Sequence, residues 1–367
     1  MRPMDSRPRI RPRGWIPGKP VFHVVVALAV LALVGGGVFL TANWYIHRND
    51  VPVLTGPPSS GGPYILALPV IAPIGYSEYA ITWDGTIKAK FHHASADFAY
   101  QQSPDGTAEL LDGGSILTQS GEHPGISSEV NGHSPHVAWT DTGAICWTEF
   151  TSTSPSWAAA ASIANADGSG LKSMAINDEP FATIACTSDS ILEVVISHSG
   201  SKPQVGLATY RLSNGTTTFE PVQANWGLWV RYQASHDGRY VLTFADGSDK
   251  SLRWSVFDLQ RHLSVLNLDG DGVGLSWNAR IAIENIMSGV GAQAKPIGTR
   301  AIDVTTGKTI WSSNAVYGGV VARPNSDDVY LSPGHKTLFK GVQYSNGSGG
   351  VIVHPDGSSI SVPNPPN

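Results

Sequence analysis

The phrase SHDGRYVLTF, residues 235–244, is a polar turn followed by a run in which every second side chain is large and apolar. Close variants recur along the chain as SPDGTAELL from Ser103, TDTGAICWTEF from Thr140, TSDSILEVVIS from Thr187 and RPNSDDVYLS from Arg323. Recurrence at a steady period constrains a fold strongly, because each unit must bury its apolar faces against copies of itself. The turn residues Asp105, Asp141, Asp189, Asp237, Asn278 and Asp327 lie 36 to 49 residues apart. After Asp237, the side chains of Tyr240, Leu242 and Phe244 share one face of a strand, and Arg239, Val241 and Thr243 take the other. A second phrase follows the better units after a variable gap, as in ASIANADGSGLKSM, ATYRLSNGTTTFEPV and AIDVTTGKTIW. Its Asp-Gly, Asn-Gly and Thr-Gly pairs supply the positive φ that tight hairpin turns need. One unit is therefore two hairpins, or four antiparallel strands.

Five units read clearly, near 135–178, 180–222, 227–268, 272–313 and 318–362, and residues 51–134 leave room for two more, with ITWDGTIKAKF and ADFAYQQSPDGTAELL as their best strands. With 40 Gly, 25 Pro and only 14% charged residues, the chain has the composition of a turn-rich all-β protein. Four-stranded units every forty-odd residues are what a β-propeller requires, since each sheet buries both faces against its neighbours around a central channel. The expected count is seven blades, with six as the alternative. The S-x-D-G phrases at Ser103–Gly106 and Ser235–Gly238 resemble the WD40-like and TolB-like propeller repeats of bacterial envelope proteins. The resemblance runs over roughly residues 64–362 and departs from the pattern around Asn278 and in the first two units. It implies a fold rather than an activity.

The first 50 residues obey a different rule. Residues 24–46, VVVALAVLALVGGGVFLTANWYI, carry no charged side chain and are long enough to cross a hydrocarbon layer of about 30 Å as a helix. Six cations against Asp5 leave residues 1–20 at +5, so with a total of −5 the remainder carries −10. Positive flanks stay in the cytoplasm, so residues 1–23 read as a basic cytoplasmic tail, 24–46 as a transmembrane helix, 47–63 as a Pro/Gly/Ser-rich linker and 64–367 as an extracytoplasmic propeller. The competing reading is a cleaved signal peptide ending near Gly35–Gly37. A lipid bilayer is thus one expected partner, and the acidic body argues against nucleic acid.

Cys146 follows the turn at Asp141 and Cys186 precedes the turn at Asp189, so both fall near the same end of consecutive units. In an oxidising compartment the pair reads as a disulfide candidate, against the alternative of two buried thiols. In GEHPGISSEVNGHSPH, His123, His133 and His136 are weak candidates for zinc or copper, but their spacing matches no established ligand pattern and a solvated loop is preferred. In LNLDGDGVG, Asp269 and Asp271 have the spacing of oxygen ligands for calcium without the rest of that frame, and read as turn residues. Among 11 tryptophans, Trp226 and Trp229 in NWGLWVRY stand beside Arg231, a platform for a sugar or peptide unless these rings fill the wedges between blades. Asn214 and Asn346 sit in N-G-T and N-G-S, which match a glycosylation sequon in a eukaryotic source and are otherwise hairpin turns.

No G-x-S-x-G, no Walker sequence and no strand-associated G-x-G-x-x-G occurs, so no catalytic residue and no cofactor is assigned. The expected function is a non-catalytic, membrane-tethered recognition or scaffold domain for a protein or envelope glycan. The alternative is a propeller enzyme of lyase or glycosidase type, with carboxylates such as Asp269 or Glu284 and a histidine at the mouth of the channel.

Overall fold

The recurring phrase closes on itself through hydrogen bonds. In the computed structural model, Ser103 Oγ donates to Asp105 Oδ1 (2.7 Å), Thr107 N donates to the same oxygen (3.0 Å), and Ala108 N donates to Ser103 Oγ (2.9 Å). Ser235, Asp237, Arg239 and Tyr240 repeat the arrangement. Gly106 and Gly238 take φ of 74° and 69°, a region that side chains with a Cβ avoid. The motif thus satisfies its own backbone groups while reversing the chain, and this explains why it marks the start of each apolar strand.

The structure describes residues 53–54, 62, 64–67, 77–92, 99–111, 116–118, 120–123, 137–152, 158–199, 203–221, 233–246, 252–289, 294–333 and 350–363. They form seven four-stranded sheets, and no helix occurs among them. The first sheet holds β1 (Val53–Leu54), β2 (Ile65–Ala67), β3 (Ser77–Ile81) and β4 (Ile87–His92). The second holds β5 (Ala99–Gln102), β6 (Ala108–Leu111), β7 (Ile116–Thr118) and β8 (Gly121–His123). β9 (Val137–Trp139), β10 (Ala144–Ser152), β11 (Ala158–Asn165) and β12 (Lys172–Ile176) make the third, and β13 (Glu179–Cys186), β14 (Ser190–Ser197), β15 (Gln204–Arg211) and β16 (Thr216–Pro221) the fourth. The fifth has β17 (Gln233–Ala234), β18 (Tyr240–Asp246), β19 (Leu252–Asp258) and β20 (Leu263–Asn267). The sixth has β21 (Asp271–Leu275), β22 (Ile281–Ser288), β23 (Lys295–Asp303) and β24 (Thr309–Ser313). β25 (Tyr317–Ala322), β26 (Val329–Pro333), β27 (Val351–Val353) and β28 (Ser359–Ser361) complete the seventh.

From the second sheet onward each is an antiparallel meander in chain order. Its first strand lies beside the first strand of the next, from β5 through β9, β13, β17 and β21 to β25, so these six inner strands surround an axis. The last strands, such as β16 and β20, are the most exposed. The first sheet departs from the pattern: β1, within the stretch expected to be a spacer, pairs in parallel with Lys90 and Phe91 of β4. Val53-Leu54 is the apolar pair of that segment, and the prolines and glycines around it end the strand. The expected transmembrane segment 24–46 lies outside the described residues.

Apart from Tyr64, Ala80 and Ala89 within the first sheet, the apolar clusters sit between sheets. Val241 packs with Leu192 and Leu207 of the fourth sheet, while its neighbour Leu242 packs with Leu275 and Ala282 of the sixth. The period-two alternation expected for this strand therefore serves two separate seams. Further clusters join the second sheet to the third, the third to the fourth, and the sixth to the seventh. Tyr64 N donates to Gln102 Oε1 (2.9 Å) between the first and second. Ile65, Ile81 and Trp83 of the first meet Tyr330, Ile352 and Val362 of the seventh, with Arg323 over the Trp83 ring at 5.7 Å. A ring of sheets, each covered on both faces by its neighbours, is the architecture of a β-propeller.

Two further links cross the seams. Cys146 on β10 and Cys186 on β13 form a disulfide across the third and fourth sheets, with Cα atoms 6.5 Å apart inside the apolar cluster. Asn278, where the sequence departs from the repeat, is explained by its neighbour. Its turn has no aspartate, and Asp327 from the seventh sheet's turn accepts instead from Ser276 Oγ (2.8 Å) and Asn278 N (3.0 Å). The local cap has become a bond between sheets.

Reduction of the disulfide, or Cys146→Ser with Cys186→Ser, is expected to lower stability. A separation of 40 residues corresponds to about 4 kcal/mol in the chain-entropy model. Denaturant titration of the oxidised and reduced chain measures it, and mass mapping without reductant should find the cross-linked peptide. Asp327→Ala should cost about 1–3 kcal/mol, since it strands donors of the sixth sheet's turn. Adding Asn278→Asp to that variant should recover part of the loss by restoring the local cap.

Candidate functional site

Asp269 and Glu284, the acids considered for chemistry, do come together. Glu284 is the fourth residue of β22, and the ladder sets it opposite Arg300 on β23. Arg300 Nε donates to Glu284 Oε1, and Arg300 Nη2 donates to Asp269 Oδ2 at 3.0 Å. Gly270 N donates to Glu284 Oε2 at 3.0 Å. This approach needs a glycine, because a Cβ at position 270 would lie 2.0 Å from Asn285 O. Both oxygens of Glu284 are thus occupied, and its side chain has no exposure at all. Asp269 is 88% exposed at the other end of the same guanidinium. Burial pulls the Arg300 pKa down, but the hydrogen bond and charge of Glu284, and then those of Asp269, outweigh burial and raise it. No histidine joins this group among the described residues. A fixed cation between the two carboxylates suits neither general acid catalysis by Glu284 nor calcium binding at Asp269.

Other buried acids are tied in the same manner. Asp258 accepts from Arg239 Nη2 (2.9 Å), Gln260 N (2.9 Å) and Arg261 N (3.1 Å). Burial raises its pKa, and these bonds, led by Arg239, reverse the shift and hold the carboxyl below its usual range. Asp328 takes Arg323 Nη1 (2.7 Å) and His354 Nδ1 (2.8 Å), and its pKa is likewise lowered by those partners against burial. Glu193 accepts from Thr183 Oγ1 at 2.6 Å. Each bond joins neighbouring strands or a turn to its strand.

Trp226, Trp229 and Arg231 lie outside the described residues, in the segment between β16 and β17, as do His133 and His136 before β9. His123 ends β8. Among the described residues no group of three metal-ligating side chains is found. The structure adds an aromatic pair that the sequence reading missed. His236, in the turn after β17, stacks on Trp277, in the turn after β21, with centroids 5.0 Å apart and planes 7° from parallel. Both occupy the second position of the turn phrase in consecutive units, and this shared position was the available signal.

No family model and no curated protein matches the chain. Among solved structures it is similar to TolB from Acinetobacter baumannii, at 14% identity and a TM-score of 0.40 over 80% of this chain and 78% of that one. It is also similar to the β-propeller domain of the Trilobed protease from Pyrococcus furiosus, at 9% and 0.39 over 62% and 70%. A third is an oligogalacturonate lyase in complex with manganese, at 14% and 0.35, where the match spans 60% of each chain. The propeller assignment here rests on the ring of seams.

Arg300→Ala leaves Glu284 buried and unpaired, and should cost about 3–5 kcal/mol. Asp269→Ala removes only the exposed partner and should change stability by about 1 kcal/mol or less. Denaturant midpoints of the two variants test this division. Equal effects would mean that the buried Arg300–Glu284 pair contributes no more than the exposed Arg300–Asp269 pair.

Proposed function

We propose that the chain is a membrane-tethered, extracytoplasmic, seven-bladed β-propeller that acts as a non-catalytic recognition or scaffold domain for a protein or an envelope glycan. Residues 1–23 form its cytoplasmic tail, residues 24–46 its membrane helix and residues 47–63 the connection to the propeller at 64–367. The observation that carries the non-catalytic reading is the state of Glu284. It is buried with one oxygen bonded to Arg300 and the other to Gly270 N, which suits a brace between strands. A proton donor to substrate needs a reachable oxygen. The Cys146–Cys186 bond supports the extracytoplasmic placement, since such bonds persist in oxidising compartments. The uncharged run 24–46 behind a basic start supports the tether.

A reporter fused after Asn367 is expected to be active outside the cytoplasm, and the full chain should remain in the membrane pellet after high salt and carbonate. Release of a shortened soluble protein would establish cleavage after the apolar segment instead. Turnover of envelope oligosaccharides by the purified chain would replace the recognition reading with the enzymatic one.

A further inference from the structure

We infer that the stacked pair His236 and Trp277, at the end of the axis where the first and second strands of the fifth and sixth sheets are joined, is a binding platform for a pyranose ring of a glycan. The inference rests on the recognition reading above and names its ligand and site. The two turns are locked to each other, since His236 N donates to Trp277 O at 2.9 Å and His236 Nδ1 lies 3.2 Å from the same oxygen. The near-parallel rings, 7° apart at 5.0 Å, are therefore pre-ordered, which limits the entropy lost on binding. Both residues are only partly buried. The exposed Val321 lies at the same end of the axis, on inner strand β25 two residues before the turn that begins at Arg323.

The polar groups beside the rings decide between ligand classes. Asp237 uses Oδ1 to cap its own turn, and Asn278 gives its N–H groups to Asp327. Asp237 Oδ2, Asn278 Oδ1 and His236 Nε2 have no bond among the described residues. Each ring covers one face of the other, and the outward ring face edged by these hydrogen-bonding groups matches a pyranose, which presents one face of C–H groups and a rim of hydroxyls that both donate and accept. An extended peptide would instead call for unpaired backbone groups on a strand edge. β17 and β21 each pair with a strand on one side only, β18 and β22, and their free edges face the axis, so a peptide held by backbone bonds would bind along those edges and not call on the ring pair.

The test uses the full-length chain in detergent, titrated with chitotetraose, a tetrasaccharide of hexuronate and a proline-rich peptide, and read by tryptophan fluorescence and calorimetry. One of the oligosaccharides is expected to bind saturably. Trp277→Ala should weaken that binding about tenfold or more, whereas Trp277→Tyr, which keeps a ring, should weaken it less. His236→Ala should give an intermediate loss. Thermal unfolding of each variant reports on folding, and the tyrosine variant keeps the comparison available where alanine disturbs the turn. Oligosaccharide binding that ignores both substitutions overturns this site and leaves glycan recognition standing elsewhere on the molecule. Binding of the peptide alone overturns the glycan assignment and leaves protein recognition standing. Binding of no probe overturns the inference, and a full chain that also cross-links to no envelope component overturns the recognition reading with it.

Discussion

The third to seventh sheets are apolar on both faces, so none of them can leave either face in water. This requirement governs the rest of the structure. A fully buried leucine or isoleucine contributes about 1.5–3 kcal/mol, and residues such as Ile191, Leu242, Ile281 and Leu331 are shielded wholly between sheets. Alternate residues of one strand serve opposite seams, as Val241 and Leu242 do. A sheet with two such faces needs a neighbour on each side, and a row of such sheets has unsatisfied ends until it closes. Closure falls to Trp83, Ile65 and Ile81 against Tyr330, Ile352 and Val362. The seventh sheet draws all four strands from residues 317–361, so the first and last sheets meet by packing rather than by exchange of a strand.

Burying a polar group in such a ring is costly unless it is bonded; Trp83 Nε1, Gln102 Nε2, Trp147 Nε1 and Thr243 Oγ1 are the buried atoms without a partner among the described residues. The buried acids follow this rule: Glu284 is held by Arg300, Asp258 by Arg239 and two backbone amides, and Asp328 by Arg323 and His354. Breaking one of these pairs is more damaging than its net worth, because the remaining charge would sit unpaired. The partly exposed rings of His236 and Trp277 lie at turns, apart from these buried pairs.

The turn phrase shows how a repeat can drift without losing the fold. Its aspartate normally caps its own backbone, as Asp105 and Asp237 do. In the sixth unit Asn278 replaces it, and the adjacent turn supplies Asp327 across the seam. A residue that looks like decay of the motif is therefore coupled to a residue 49 positions away. Repeat proteins permit such substitutions because equivalent turns are brought side by side by the ring.

The all-β class, the four-stranded unit and the boundaries of the last five sheets were legible in the sequence. They depend on period-two alternation and on turn chemistry, which act over a few residues. The disulfide was legible as one of two readings, because equivalent ends of neighbouring units lie close whatever the details. What the sequence could not decide were contacts set by register and by ring closure. Glu284 and Asp269 were visible as acids, but the guanidinium between them belongs to Arg300, which stands opposite Glu284 only once the pairing of β22 with β23 is known. Likewise His236 and Trp277 are 41 residues apart in sequence. Their shared place in the turn phrase marks them as equivalent, but only the packing of the fifth sheet on the sixth stacks their rings, since that contact follows from the apolar seam between the two sheets.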